Sequence, residues 1–169
     1  MFFTTLMMTV YENLVQRLHE SGAGYRIHDH APSVTVLDAE TYLDFPVNQL
    51  LKTIAFRIKN GGWVLAALCG YQQVDYKKLA DSCGVSRDKL MRLTPKAVEQ
   101  ELGFELGGVC PFAINAQTRV VIDVGALHHA LVFCGTGRRD RTLEIAPPNW
   151  CVSLARRLHR WRKLSCDCV

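Results

Sequence analysis

The chain has 169 residues, 49% of them hydrophobic, and a formal net charge of +4. That length and composition predict a single domain, residues 1–169, and exclude an intrinsically disordered chain. No apolar run approaches the roughly 20 residues of a membrane span, and the apolar start, Met1 to Val10, lacks the basic region and small-residue cleavage site of a signal peptide. The expected location is the cytoplasm. The seven cysteines are an odd number, and Cys69, Cys83 and Cys134 lie in apolar contexts. They read as reduced core thiols rather than a disulfide framework. Cys166 and Cys168 form a C-x-C without the second cysteine pair of a structural metal site.

Charge is unevenly spread. Residues 1–84 carry seven Lys/Arg against eight Asp/Glu; residues 85–169 carry thirteen against eight. The excess falls in Arg138, Arg139 and Arg141, then in Arg156, Arg157, Arg160, Arg162 and Lys163. Such clustering suits a polyanion, RNA or DNA, or else a solvated basic face.

In chain order, Leu14, Val15 and Leu18 give a helical spacing from Tyr11 to Ser21, ended by Gly22 and Gly24. Tyr25 to His30 alternates as a strand closed by Pro32, with His28 and His30 on one face. Two such histidines suit a structural or substrate-contacting role, or a metal if His128 or His129 joins them. Asp38 is expected to cap a helix through Leu43, and Val47 to Leu51 to form a short helical stretch. Lys52 opens the strand Thr53–Ile58. It reads either as an edge-strand lysine or as a cation aimed at a phosphate. Asn60-Gly61-Gly62 predicts a hairpin turn into the strand Trp63–Leu68. Val74 to Cys83 is an amphipathic helix stopped by Gly84, and Ser86 caps a turn carrying Arg87, Lys89 and Arg92. Thr94-Pro95 opens a further helix.

That helix runs into Leu102 to Phe112, where Gly107, Gly108 and Pro111 are boxed by apolar residues. Adjacent glycines let backbone N–H groups approach a ligand, and proline stiffens the loop end; a buried turn is the alternative. Val120–Val124 and Leu131–Cys134 follow as strands. A basic turn, Gly135 to Asp140, leads to the strand Thr142–Ile145. Pro147-Pro148 breaks the chain before a closing helix, Trp150 to Leu164, with a basic face. Strands linked in pairs, with helices between them, predict an α/β (α+β) fold: a mixed, partly closed, barrel-like sheet with surrounding helices.

Several of these stretches occur together in one order. A strand ends in His30-Ala31-Pro32. Lys52-Thr53 opens the first long strand. Gly103-Phe104 leads to Gly107-Gly108-Val109-Cys110-Pro111. Asp123 lies on a strand, and Gly137-Arg138-Arg139 precedes a last strand ending in Ala146-Pro147. Over residues 10–155 this resembles the YbaK/EbsC-type aminoacyl-tRNA deacylase family, which is related to the editing domain of bacterial prolyl-tRNA synthetases. Residues 107–111 match that family's G-x-x-x-P loop.

The resemblance implies hydrolysis of the ester between a wrong amino acid and its tRNA, typically cysteine or alanine on proline tRNA, with no metal or cofactor. It implies that Lys52 contacts the tRNA 3′ end and that the loop, Gly107, Gly108 and Val109 foremost, holds the aminoacyl group. His30, Thr53, Cys110, Pro111, Asp123 and Gly137 are the expected substrate-binding positions. Arg138, Arg139, Arg141, Arg156 and Arg157 are the expected grip on tRNA. Prolyl-tRNA synthetase is a candidate partner; DNA and membranes are not. A loop of backbone donors needs no side-chain nucleophile, and the substrate's 2′-hydroxyl, or the thiol of a cysteine substrate, assists the attack. Cys110 is the alternative nucleophile. The chain departs from the family with Gly135-Thr136, where a hydroxyl residue usually precedes the basic turn, and with Asp140 where glycine is usual. A non-catalytic aminoacyl-tRNA-binding module and a histidine metal hydrolase are the competing readings.

Overall fold

The computed structural model describes residues 8–147 and 163–164. Helix α1 spans Val10–Ser21; the Thr9 hydroxyl and the Glu12 carboxylate close a reciprocal capping box on its first turn. Leu14 and Leu18 face inward, and Gly22 ends the helix at φ +67°. Strand β1 is Tyr25–Asp29.

Helix α2 is Val36–Tyr42, and its cap is Thr35 rather than the expected Asp38. Asp38 stands one turn in and accepts from the Val34 and Thr35 N–H groups at 3.0 and 2.9 Å. The helical stretch expected over Val47–Leu51 is a single 3₁₀ turn, Val47–Gln49. Its last two residues already belong to β2, Leu50–Ile58, so Lys52 lies inside the strand rather than at its start.

β3 is Trp63–Cys69 and α3 is Tyr76–Cys83, the latter capped by Asp75. A short strand absent from the sequence reading, β4 at Leu90–Arg92, precedes α4, Pro95–Leu102. β5 is Thr118–Asp123, and the expected strand residue Val124 instead starts a 3₁₀ turn. β6 is Val132–Gly135, β7 Arg141–Ile145 and β8 Lys163–Leu164. The closing helix expected over Trp150–Leu164 lies outside the described residues except for its last two, which are extended and pair with β5.

The strands form one mixed sheet in the order β1-β7-β6-β2-β3-β5-β8, with β4 branching from β2. β2–β6, β3–β5 and β5–β8 are parallel; the remaining pairs are antiparallel. Alternation along β3 splits the core. Leu65 and Ala67 join α1, α4 and the residues after them on one face; Val64 and Ala66 join α3 on the other. This is the mixed sheet with outer helices that the pattern of elements predicts.

β2 is the hub. β3 covers one of its edges from end to end. Its other edge is shared: β6 pairs with Leu50 and Leu51, and β4 pairs with Phe56 to Ile58. Between them, at Lys52–Ala55, the edge has no partner strand among the described residues. The edge-strand reading of Lys52 thus gives way to a different one. The open edge lies inside the sheet, at a split between β6 and β4.

Candidate functional site

The split opens into a pocket of about 330 Å³. Lys52 to Ala55 form one wall, and Arg92, Leu93 and Val98 another. Ladder geometry orients this wall. Gly70 donates to the Leu50 carbonyl at 2.7 Å and Ile58 to the Gly62 carbonyl at 2.9 Å, so even-numbered residues of β2 bond toward β3. Odd-numbered residues bond the other way, as Leu93 N–H to the Ala55 carbonyl shows at 2.9 Å. The N–H and C=O of Thr53 therefore face the split. The Thr53 hydroxyl is buried and has no hydrogen-bond partner among the described residues.

Lys52 points to the face opposite Thr53. It is partly buried, and that burial, with the positive charge of Arg92, holds its ammonium below the ordinary lysine range. Arg92 pairs in register with Phe56, so it shares the face of Lys52 two residue pairs away. From the sequence alone Arg92 is expected in a turn. Thr94-Pro95 located the following helix, but no local signal tied Arg92 to Lys52, forty residues earlier.

Three loops meet at the mouth. Glu105 to Gly108 form a tight turn with Gly107 at φ +87°, the left-handed third position that glycine favours. The Glu105 N–H donates to the Gly137 carbonyl at 3.0 Å, the Gly137 N–H to the Gly108 carbonyl at 2.6 Å, and the Arg139 N–H to the Glu105 carboxylate at 3.0 Å. The Ser33 N–H donates to the Arg139 carbonyl at 2.9 Å and the His30 N–H to the Asp140 carbonyl at 3.1 Å. The backbones nearly touch. A Cβ on Gly108 would lie 2.6 Å from the Arg138 carbonyl oxygen, and one on Gly135 would lie 2.5 Å from that of Val109. Phe104, 1% exposed, anchors the turn in the core; burying a phenyl ring contributes about 2–3 kcal/mol.

The donor cradle expected of this loop is smaller than the sequence suggested. The Gly108 N–H closes the turn onto the Glu105 carbonyl at 2.9 Å and is unavailable to a ligand. The N–H groups of Gly107 and Val109 have no partner among the described residues, and both residues line the pocket. The adjacent glycines serve close backbone packing as much as ligand access.

His30 lines the same pocket. Its Nδ1 lies 2.7 Å from the Ala31 carbonyl oxygen, which can only accept, so Nδ1 carries the proton. Its Nε2 then accepts from the Thr142 hydroxyl at 2.9 Å. His28, two residues earlier on β1, is held at 2.6 Å by Glu144 and packs edge-on against Phe45. Thr136 is fully buried, and its hydroxyl donates to the Arg141 carbonyl at 3.1 Å, stapling the basic turn.

The remaining predicted residues divide. Arg138, Arg139 and Arg141 line the pocket. Arg138 is engaged by Asp140 through two bonds of 2.9 Å, and Arg141 by Asp29 at 2.6 Å. The Arg139 guanidinium has no carboxylate partner among the described residues. Arg156 and Arg157 lie outside those residues. Four predicted substrate contacts, Cys110, Pro111, Asp123 and Gly137, do not line this pocket. Cys110 is fully buried, borders a second cavity beside α1, and has its thiol pushed up to about 12 by burial. Pro111 is buried behind the loop. Asp123, 1% exposed, caps the turn after β5 through the Gly125 N–H at 2.7 Å. Gly137, also outside the lining, acts through its bonds to the loop. Cys134 does line the pocket, but burial drives its thiol well above the ordinary range.

The lining thus holds Lys52, Arg92, Arg138, Arg139 and Arg141 and no carboxylate. Such a pocket attracts an anion.

Comparison with known proteins gives a consistent answer. A family model described as an aminoacyl-tRNA editing domain matches residues 30–150. The uncharacterized protein YwhH of Bacillus subtilis is 30% identical over 115 residues, 68% of this chain and 71% of its own. EbsC of Enterococcus faecalis, provisionally named a Cys-tRNA(Pro)/Cys-tRNA(Cys) deacylase, is 25% identical over 138 residues, 80% of this chain and 83% of its own. A crystal structure described, also provisionally, as a trans-editing enzyme for prolyl tRNA synthetase superposes with a TM-score of 0.73 at 20% identity, covering 94% of this chain and 98% of that one. That last likeness is one of fold.

Proposed function

The chain belongs to the aminoacyl-tRNA editing domain family, and we propose that it hydrolyses, in trans, the ester of cysteine or alanine on proline tRNA. The observation that carries the reading is the pocket at the β2 split. It offers cations without a carboxylate, two unpaired loop N–H groups and no activated side-chain nucleophile.

In this reading Lys52 and Arg139 receive the phosphates of the tRNA 3′ end, and the aminoacyl group enters toward Thr53. Water attacks the ester carbonyl carbon, and the N–H groups of Gly107 and Val109 receive the oxyanion. Collapse breaks the bond to the ribose oxygen, which leaves with a proton. The neighbouring ribose hydroxyl positions the water; with a cysteine ester, the substrate's own thiol is the competing attacker. The buried, protonated Cys110 takes no part.

About 330 Å³ is at the small end of ligand pockets and suits a small side chain attached to a terminal nucleoside. A synthetase separates such side chains poorly by binding alone, which is the demand a second sieve meets. The reading places the protein in the cytoplasm, with prolyl-tRNA synthetase as a partner. No helix among the described residues is long and apolar enough to cross a membrane.

The test is deacylation of proline tRNA charged separately with cysteine, alanine, serine and proline. Loss of cysteine or alanine with proline spared is expected. Binding of all four without hydrolysis of any would replace the enzyme with a binding module.

A further inference from the structure

We propose that Arg92 is a substrate-binding residue, which with Lys52 grips the phosphodiester next to the aminoacylated nucleoside of the RNA. The inference rests on the functional reading above and extends it to a residue outside every motif of the loop and basic turn.

Geometry carries it. Arg92 ends β4 opposite Phe56, and Lys52 lies four residues back along β2 on the same face. That is about 13 Å of strand, a span that two long cationic side chains close on from either end. Between them the strand edge is open, and both residues line the pocket there. Arg92 is exposed, and its guanidinium has no hydrogen bond, ion pair or ring contact among the described residues. Two cations flanking β4 are engaged instead: Arg57 pairs with Glu101, and the Arg87 guanidinium stacks over the Tyr76 ring at 4.3 Å. Two like charges converging on one opening with no carboxylate between them repel each other, and an anion relieves that repulsion. A phosphodiester also matches the planar donor fork of an arginine, which can hold two of its oxygens at once.

The test compares the wild type with Arg92→Ala, Arg92→Lys and, as a control for lost charge, Arg26→Ala at an exposed position of β1. Two substrates are used: a short single-stranded RNA carrying a cysteine ester on its 3′-terminal adenosine, and cysteinyl-adenosine, which has no phosphate. Arg92→Ala should raise KM for the RNA ester about tenfold, with kcat held, since charged hydrogen bonds have that size. It should leave cysteinyl-adenosine unchanged. Its binding should lose about 0.7 of the log–log salt slope, one single-strand phosphate contact. Arg92→Lys should restore the slope, and Arg26→Ala should match the wild type. Equal losses on both esters, or no loss on the RNA ester, would overturn the proposal. If the wild type hydrolyses neither ester, the enzymatic reading fails. Anisotropy with the uncharged RNA then still decides on Arg92: weaker binding by Arg92→Ala upholds it, and equal binding rejects it.

Discussion

Gly107 sits against Ser33 so closely that a Cβ there would overlap the Ser33 carbonyl oxygen and come within 2.6 Å of the Val34 Cα. The contact ties the loop to the segment leading into α2, which lines the far wall of the pocket with Val36 and Ala39. Two demands coincide at this glycine: a left-handed φ and a backbone neighbour that cannot move aside like a side chain tip. Gly107→Ala should cost at least about 2 kcal/mol and increase proteolysis between residues 31 and 46. A denaturation midpoint within error of wild type would show the contact to be slack.

Lys52 is a charge held partly out of water, and its ammonium is depressed first by burial and then by Arg92. The unfolded chain therefore binds this proton more tightly than the folded one. Folding stability should rise with pH between the depressed folded value and the ordinary lysine value of about 10.4. Below that window the penalty is constant. Lys52→Met should leave Tm at neutral pH equal to or above the wild type's while lowering kcat/KM about 10–100-fold. Thermal melts and deacylation on the same preparation check both halves; a fallen Tm would make Lys52 a structural residue.

Thr53 presents a buried hydroxyl with no partner among the described residues. An unsatisfied buried hydroxyl costs about 1–3 kcal/mol, which an isosteric methyl recovers. Thr53→Val should therefore stabilise the fold by about 1 kcal/mol and, under the proposed function, weaken hydrolysis by removing a substrate contact. Urea titration gives the first quantity. Unchanged turnover would remove Thr53 from the site.

Cys110 stands inside the motif but faces the core and a different cavity. With its thiol near 12 it stays protonated at neutral pH. Cys110→Ala should keep deacylation within about twofold, while the small cavity it leaves costs about 1 kcal/mol. A collapse of turnover in a folded variant would reinstate the cysteine as nucleophile.

Asp140 makes two bonds to Arg138, which lower its carboxyl from 3.8 to about 2. A depressed carboxyl contributes stability above its unfolded value and loses it as pH falls through the folded one. Asp140→Asn should thus melt below the wild type at pH 6, and the gap should close between about pH 4 and pH 2. A gap that persists at pH 2 would mean the substitution acts through packing instead.

Much of the fold was legible because local signals agree with tertiary ones. Helix α1 carries its cap at Thr9 and its stop at Gly22, and the Asn60 turn joins two apolar strands. Asp38 resembles a cap in the sequence because a carboxylate one turn inside the helix bonds N–H groups at its start, here those of Val34 and Thr35. β4 escaped notice because three residues, two of them exposed, carry no period. In the candidate site, Lys52, Thr53 and the glycine turn were visible as departures from their surroundings: a cation, a hydroxyl and paired glycines among apolar residues. Arg92 was not, since an exposed arginine in a turn looks like any other.

The sequence by itself determined the order of elements, the apolar faces that build the sheet and the loop whose glycines admit close approach. Those follow from spacing and from backbone sterics, which act over a few residues. Only the tertiary structure decided which edge of β2 stays open, which cations remain without a carboxylate and which way Cys110 faces. Strand order and register place Lys52, Arg92 and Gly107 around one opening, and the pairing of β2 with β4 and β6 joins segments thirty or more residues apart.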